Sequence, residues 1–149
     1  MIAKKDFGNP KLLSPLTLAF VGDAVYGLLV RERLAELDLA AGRLHPASVL
    51  LVKAGAQARA AQALFPLLTE EEQGVYKRGR NAHTGNLPKN ATNQEYHAAT
   101  GLEALFGFLY LAGRDMRLRE LFQKIWILLD VDQAVRTSPA SQKRQKAQA

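Results

Sequence analysis

The chain has 149 residues, 48% of them hydrophobic, which suits one globular domain with a sizeable core. It has no cysteine, so a disulfide framework, a thiolate metal site and a thiol nucleophile are all excluded. The net charge of +6 is a mild bias towards polyanionic partners, and ordinary solubility explains it equally well.

The opening MIAKKDFGNPK lacks the apolar core of a signal peptide. The best apolar run, residues 16–30, is interrupted by Asp23 and falls short of a membrane span. A cytoplasmic protein without membrane contact is expected. Ser14 followed by Pro15 is a helix cap with a first-turn proline, and it opens a predicted helix to about Leu37. Pro46 opens a second, which runs to about Leu64. Thr69 with Glu72 forms a capping box for a third, through Tyr76 towards Arg80. Residues 83–92, HTGNLPKNAT, read as a loop rich in Gly, Pro and Asn. Thr92 with Glu95 is a further capping box, starting a helix that ends near Gly113. The last helix covers about 115–130, with Leu118, Leu121, Phe122, Ile125, Trp126 and Leu129 on one face. No run alternates like a strand. The expectation is one all-α domain over residues 1–132, followed by a disordered basic tail over 133–149 carrying Arg136, Lys143, Arg144 and Lys146.

Two acids stand in apolar surroundings. Asp23 lies within LAFVGDAVYGLL and Glu103 within YHAATGLEALFGFLYLAG. An ionised carboxylate among such neighbours is costly unless something compensates it. At helical spacing of four, one face reads Ala19, Asp23, Gly27 and the other Ala99, Glu103, Gly107. Small residues on both sides of each acid would let two helices cross closely and bring the carboxylates together. Such a pair repels, so either one takes up a proton or a cation sits between them. Carboxylate oxygens are hard ligands suited to Mg²⁺ or Mn²⁺, and a bound cation can polarise a phosphoryl oxygen and supply a water nucleophile. A single acid of this kind would more simply bond to backbone or pair with an arginine. Two with matched neighbours, beside an acid-free basic segment, favour a site.

These residues resemble a known family. LAFVGDAVYGLLV is similar to the signature of the ribonuclease III catalytic domain, and ATGLEALFGFLYLAG to its second motif. Within that family the segment YKRGRNAHTGNLPKNATNQEYHAATGLEALFG resembles the short Mini-III branch, which lacks a double-stranded-RNA-binding domain. The resemblance covers residues 9 to about 130. Two acids of the wider family's pattern are absent: Ala19 stands where the first motif has Glu, and Thr100 where the second has Asp. Both absences look typical of Mini-III. The resemblance implies a homodimeric, Mg²⁺-dependent endoribonuclease, with Mn²⁺ as an alternative, that cuts double-stranded RNA and leaves 5′-phosphates and staggered 3′ ends. It implies that Asp23 and Glu103 are the catalytic and metal-binding acids and that the place of Phe20 is a dimer contact. Phe20 as ordinary core remains the other reading. The branch is associated with maturation of large-subunit (23S) precursor ribosomal RNA.

The segment from Gln73 to Gln94 has no acid but contains Lys77, Arg78, Arg80, Asn81, His83 and Lys89. Basic side chains neutralise phosphates and Asn can bond a 2′-hydroxyl, so these six are expected to bind RNA, against the alternative of a solvated basic face. His45 reads as part of a helix start, and Trp126 and Tyr110 as core or interface. Two further functions compete with the nuclease: a non-catalytic RNA-binding module of the same fold, and a purely structural helical dimerisation domain.

Overall fold

The computed structural model describes residues 5–82 and 93–136. They form seven α-helices: α1 (Pro15–Ala35), α2 (Ala41–Val52), α3 (Ala54–Leu64), α4 (Glu70–Asn81), α5 (Asn93–Leu111), α6 (Asp115–Leu128) and α7 (Val131–Arg136). Two 3-10 turns lie at Pro10–Leu12 and Phe65–Leu67, and no strand occurs among the described residues. The chain is all-α, as its sequence predicts. No described helix is long and apolar enough to cross a membrane.

The central helix is α5. Leu102, Ala104, Leu105, Phe106 and Leu109 are wholly buried, and α1, α3 and α4 pack directly on it. A helix apolar on nearly every side belongs inside a core, and this one is closed by a left-handed glycine, Gly113 at φ 73°. The first helix begins as expected, with Ser14 Oγ accepting from Thr17 N at 3.1 Å and Pro15 in the first turn. It buries Leu18, Tyr26, Leu29, Val30 and Leu34, and the Tyr26 ring stands edge-on to Phe106 and Phe122.

Where α1 crosses α5, backbone touches backbone. A Cβ on Gly22 would stand 1.6 Å from the Glu103 carbonyl oxygen, and one on Gly107 would stand 1.9 Å from that of Leu18. The expected crossing face is therefore half right. Gly107 is at the contact, but its partner is Gly22 and not Gly27, which lies beside Arg31 of its own helix. The buried stripe of α1 runs Leu18, Gly22, Val25 and Leu29, with Asp23 turned one position away from it. Glycines also meet on the other flank of α5, where a Cβ on Gly79 would press on Ala104 and Gly101.

Three boundaries differ from the sequence reading. Pro46 does not open its helix but lies inside α2, and His45 with it. The first turn is nucleated earlier, with Arg43 N donating to Ala40 O at 2.8 Å, and Ser48 Oγ donates to His45 O just past the proline. A proline this near a helix start removes one ladder bond, that to Gly42, and burial of the α2 face outweighs it. The predicted single helix from Pro46 to Leu64 is also two, broken at Lys53, whose ψ of 155° is extended. The break re-aims α3 so that Ala56, Gln57, Ala60, Ala61 and Leu64 are all buried. Lastly, residues 133–136 belong to α7 and not to a tail. Asp130 adopts a left-handed turn at φ 47°, Trp126 Nε1 donates to Asp132 Oδ1 at 2.9 Å, and Val131 and Val135 are buried. Residues 137–149 and the cap at Thr92 lie outside the described residues.

The Thr69–Glu72 capping box is present in full. Its Glu72 has a second task that spacing alone does not reveal. It is 2% exposed and takes a two-pronged ion pair from Arg117 of α6, Nε to Oε2 at 2.9 Å and Nη2 to Oε1 at 2.8 Å. The pairing holds the Glu72 carboxyl below its ordinary range.

The α1–α5 contact generates a direct expectation. Gly22→Ala places a methyl group where the Glu103 carbonyl stands, so the helices must separate. Overpacking of this kind costs about 1–3 kcal/mol or more. Urea denaturation should show the loss, and Gly27→Ala, with only a flexible arginine tip nearby, should cost far less.

Candidate active site

The two acids meet in one open cleft of about 380 Å³ beside the α1–α5 crossing. Ala19, Phe20 and Asp23 line it from α1; Tyr96, Thr100 and Glu103 line it from α5; Val52 and Ala54 close it at the α2–α3 break. The close crossing is what places Asp23 and Glu103 together, because Gly22 precedes one acid and packs on the backbone of the other.

Their environments differ, in a way the sequence reading has reversed for Asp23. That residue is exposed, since the α1 face carrying Phe20, Asp23, Ala24 and Leu28 is turned outward. Glu103 is the half-buried member. Burial pushes its carboxyl up to about 7, the charge of Asp23 adds to the rise, and the Gln57 amide beside it works the other way. A carboxylate pair that cannot be fully ionised cheaply near neutral pH is short of positive charge. Two hard carboxylates facing open solvent fit a Mg²⁺ ion, which binds through one or two protein carboxylates and keeps several waters. Among the described residues no cluster of three or more His, Cys, Asp or Glu exists, so these two are the whole acidic donor set there.

Ala19 and Thr100 also line this cleft. They stand where the wider ribonuclease III pattern has its other acids, and neither can replace one. Ala19 has no donor atom, and the Thr100 hydroxyl donates to its own helix at Tyr96 O, 3.0 Å away.

None of the expected RNA-binding residues lines the cleft among the described residues; Lys77, Arg78, Arg80 and Asn81 lie in the last turns of α4, Lys77 over the Phe65 ring. Gly79 packs against the backbone of Thr100, so the last turn of α4 lies along α5 one turn before Glu103. Lys77, Arg78 and Asn81 are exposed. Arg80 lies over the Tyr76 ring and shares a surface depression with Asn81, Gln94 and His97. Gln94 is a polar addition to this surface that sequence reading missed, its position at the start of α5 being the signal that could have found it, and His97, six positions before Glu103, joins it there. His83 and Lys89 lie outside the described residues. Phe20 is 81% exposed at the rim of the cleft, so the core alternative does not hold in the protomer. Trp126 is core, packed on Phe122. A larger hollow of about 510 Å³ between α1, α2 and α6 is lined largely by apolar side chains such as Leu50, Ile125 and Trp126 and contains no acid.

The raised carboxyl of Glu103 gives a signed pH dependence. In the unfolded chain it ionises near 4.5, and in the folded protein near 7. The folded state therefore loses stability as pH climbs between these values, and the penalty is complete above the upper one. In chelator, Glu103→Gln should melt higher than wild type at pH 8 and at a similar temperature at pH 4. Identical curves at both pH values would contradict the assigned environment.

Residues 16–114 match the Ribonuclease III domain family. The chain is 51% identical over 116 residues to a Mini-ribonuclease 3 of Symbiobacterium thermophilum, covering 77% of this chain and 89% of the relative. It is 44% identical over 123 residues to a Mini-ribonuclease 3 of Brevibacillus brevis, covering 82% and 92%. Its fold is similar to the crystal structure of a Fusobacterium nucleatum protein, with a TM-score of 0.71 at 27% identity over 83% of this chain and 93% of that one. The motifs around the two acids, the helical fold that joins them and these relatives agree: the chain belongs to the ribonuclease III family, in its Mini-ribonuclease 3 branch, and is an endoribonuclease.

Proposed function

We propose that this endoribonuclease cuts double-stranded RNA with a divalent cation held by Asp23 and Glu103, and that its substrate is precursor large-subunit ribosomal RNA. The cation is Mg²⁺, with Mn²⁺ able to replace it. The observation that carries the reading is the meeting of the two carboxylates in a single solvent-open cleft. The cytoplasmic setting expected from the sequence belongs to the same proposal.

In this reading Asp23 and Glu103 would supply the two protein ligands, both in their ionised form. When bound, the metal polarises a phosphoryl oxygen of the scissile phosphate and presents a water for attack. Water oxygen bonds to phosphorus, the P–O3′ bond breaks, a proton from that water passes to the departing 3′ oxygen, and the phosphate stays on the 5′ end of the downstream fragment. Lys77, Arg78 and Arg80 contact the flanking phosphates, and Asn81 faces the 2′-hydroxyls. His83 and Lys89, outside the described residues, are read from the sequence alone as further RNA-binding residues. These contacts recognise the A-form backbone and carry little base information.

A duplex has two strands and the protomer has one acid pair, so a staggered cut requires two protomers related by a two-fold axis. Phe20, Ala24 and Leu28 form an exposed apolar stripe at helical spacing of four along α1. Pairing of that stripe across the axis would bury it and set two clefts side by side.

Duplex RNA incubated with Mg²⁺ should be cut by the wild type and left intact in chelator. Asp23→Asn and Glu103→Gln should each lower cleavage by at least about a hundredfold, or roughly 2.7 kcal/mol in activation energy, with binding retained. Cleavage at wild-type rates in either variant would refute the metal assignment, and binding without cleavage by the wild type would favour the non-catalytic module. For assembly, sedimentation should give twice the 16.4 kDa chain mass, and Phe20→Asp should shift the population to monomer. A fully active monomer would contradict the two-fold arrangement.

A further inference from the structure

Gln57 is the polar side chain in this protein that pays least attention to the ordinary rules of burial. It lies in the first turns of α3 and is 1% exposed, among the small side chains that seat α3 against α5. Neither its Nε2 nor its Oε1 has a hydrogen-bond partner among the described residues. A buried amide left in this way destabilises the fold, and a leucine at the same place would carry no such penalty. Among the described residues the other fully buried polar residues are engaged: Ser48 with His45, Glu72 with Arg117 and Thr69, and Thr100 with Tyr96. Gln57 is not unplaced, however. Its amide stands beside the Glu103 carboxyl, across the contact between α3 and α5, although short of full hydrogen-bond geometry.

The geometry points to Gln57 as the positioning residue for Glu103: its amide N–H, without a partner among the described residues, donates to the Glu103 oxygen that faces away from the cleft once the other oxygen is committed to the cation. The inference rests on the proposed metal site. Its physical basis is that a ligating carboxylate needs a second partner to fix its rotamer, and the hydrogen bond also favours the ionised form that a metal requires. The helix break at Lys53 serves this placement, because it turns α3 so that Gln57 points at α5 while Val52 and Ala54 line the cleft. Gln57 touches neither the cleft nor the substrate, so it acts only through Glu103.

The test compares the full-length wild type, Gln57→Leu, Gln57→Met and Asp23→Asn. Free Mn²⁺ is measured by electron paramagnetic resonance during titration with each protein, and thermal melting is measured in chelator. Loss of an outer hydrogen bond to a metal ligand weakens affinity by about 10–100-fold. Gln57→Leu and Gln57→Met should show that loss while melting at or above the wild-type temperature, since an unsatisfied amide has been removed. A merely structural glutamine would not separate the two readouts in this way. KM for duplex RNA should stay near wild type while kcat at limiting metal falls. Wild-type Mn²⁺ affinity in both variants would overturn the assignment of Gln57 and leave the two-acid site standing. Failure of the wild type itself to bind Mn²⁺ more tightly than Asp23→Asn would overturn both. Using two apolar replacements of different shape keeps a packing defect in one from deciding the result.

Discussion

Backbone contact between α1 and α5 is the constraint on which the site depends. Gly22 lies on the Glu103 carbonyl and Gly107 on that of Leu18, at separations no side chain could share. Apolar helices can pack in many ways, but two that meet through glycines have little freedom to slide or rotate. The residue after Gly22 is Asp23, and the residue whose carbonyl meets Gly22 is Glu103. The register of a packing contact thus sets the spacing of two functional groups. Elsewhere the fold braces this crossing: α4 locks to α5 through Gly79 and Gly101, and the buried Glu72–Arg117 pair ties α4 to α6.

The electrostatics follow from the same geometry. Bringing two carboxylates together without an internal cation leaves the folded protein with an unmet demand for positive charge. Burial makes Glu103 carry most of that cost, and its carboxyl rises to about 7. Asp23 keeps its exposure and remains open to solvent and substrate. The arrangement is therefore asymmetric: one acid is held in a partly apolar wall with a glutamine behind it, and the other stands at the mouth. With Asp23 and Glu103 the only acids that line the cleft among the described residues, Ala19 and Thr100 leave room in it that water or substrate oxygens can fill.

Much of this was legible in the sequence, for identifiable reasons. Caps and periodicity located α1, α4 and α6 because Ser14-Pro15, Thr69 with Glu72 and the Leu118–Trp126 stripe act locally, within one helix. The pair Asp23 and Glu103 was legible because acids rarely interrupt long apolar helices. What failed depended on tertiary contacts. Four-residue spacing from Asp23 marks Gly27 because it follows the acid's own face, whereas the contact face with Gly22 lies one position, about 100°, around the helix. The Lys53 break has no local breaker strong enough to announce it; packing of α3 on α5 imposes it. Helix α7 was not legible because tertiary contacts hold it in place: the burial of Val131 and Val135 and the Trp126–Asp132 hydrogen bond. Gln57 carried no signal at all, since an isolated glutamine in an alanine-rich helix reads as solvent-facing.

The central claim is that one divalent ion sits between Asp23 and Glu103. Anomalous diffraction from crystals grown with Mn²⁺ tests it most directly. The account predicts a peak within coordination distance, about 2.0–2.3 Å, of oxygens from both carboxylates. A peak bound by other residues, or none at a Mn²⁺ concentration that supports RNA cleavage, would contradict it.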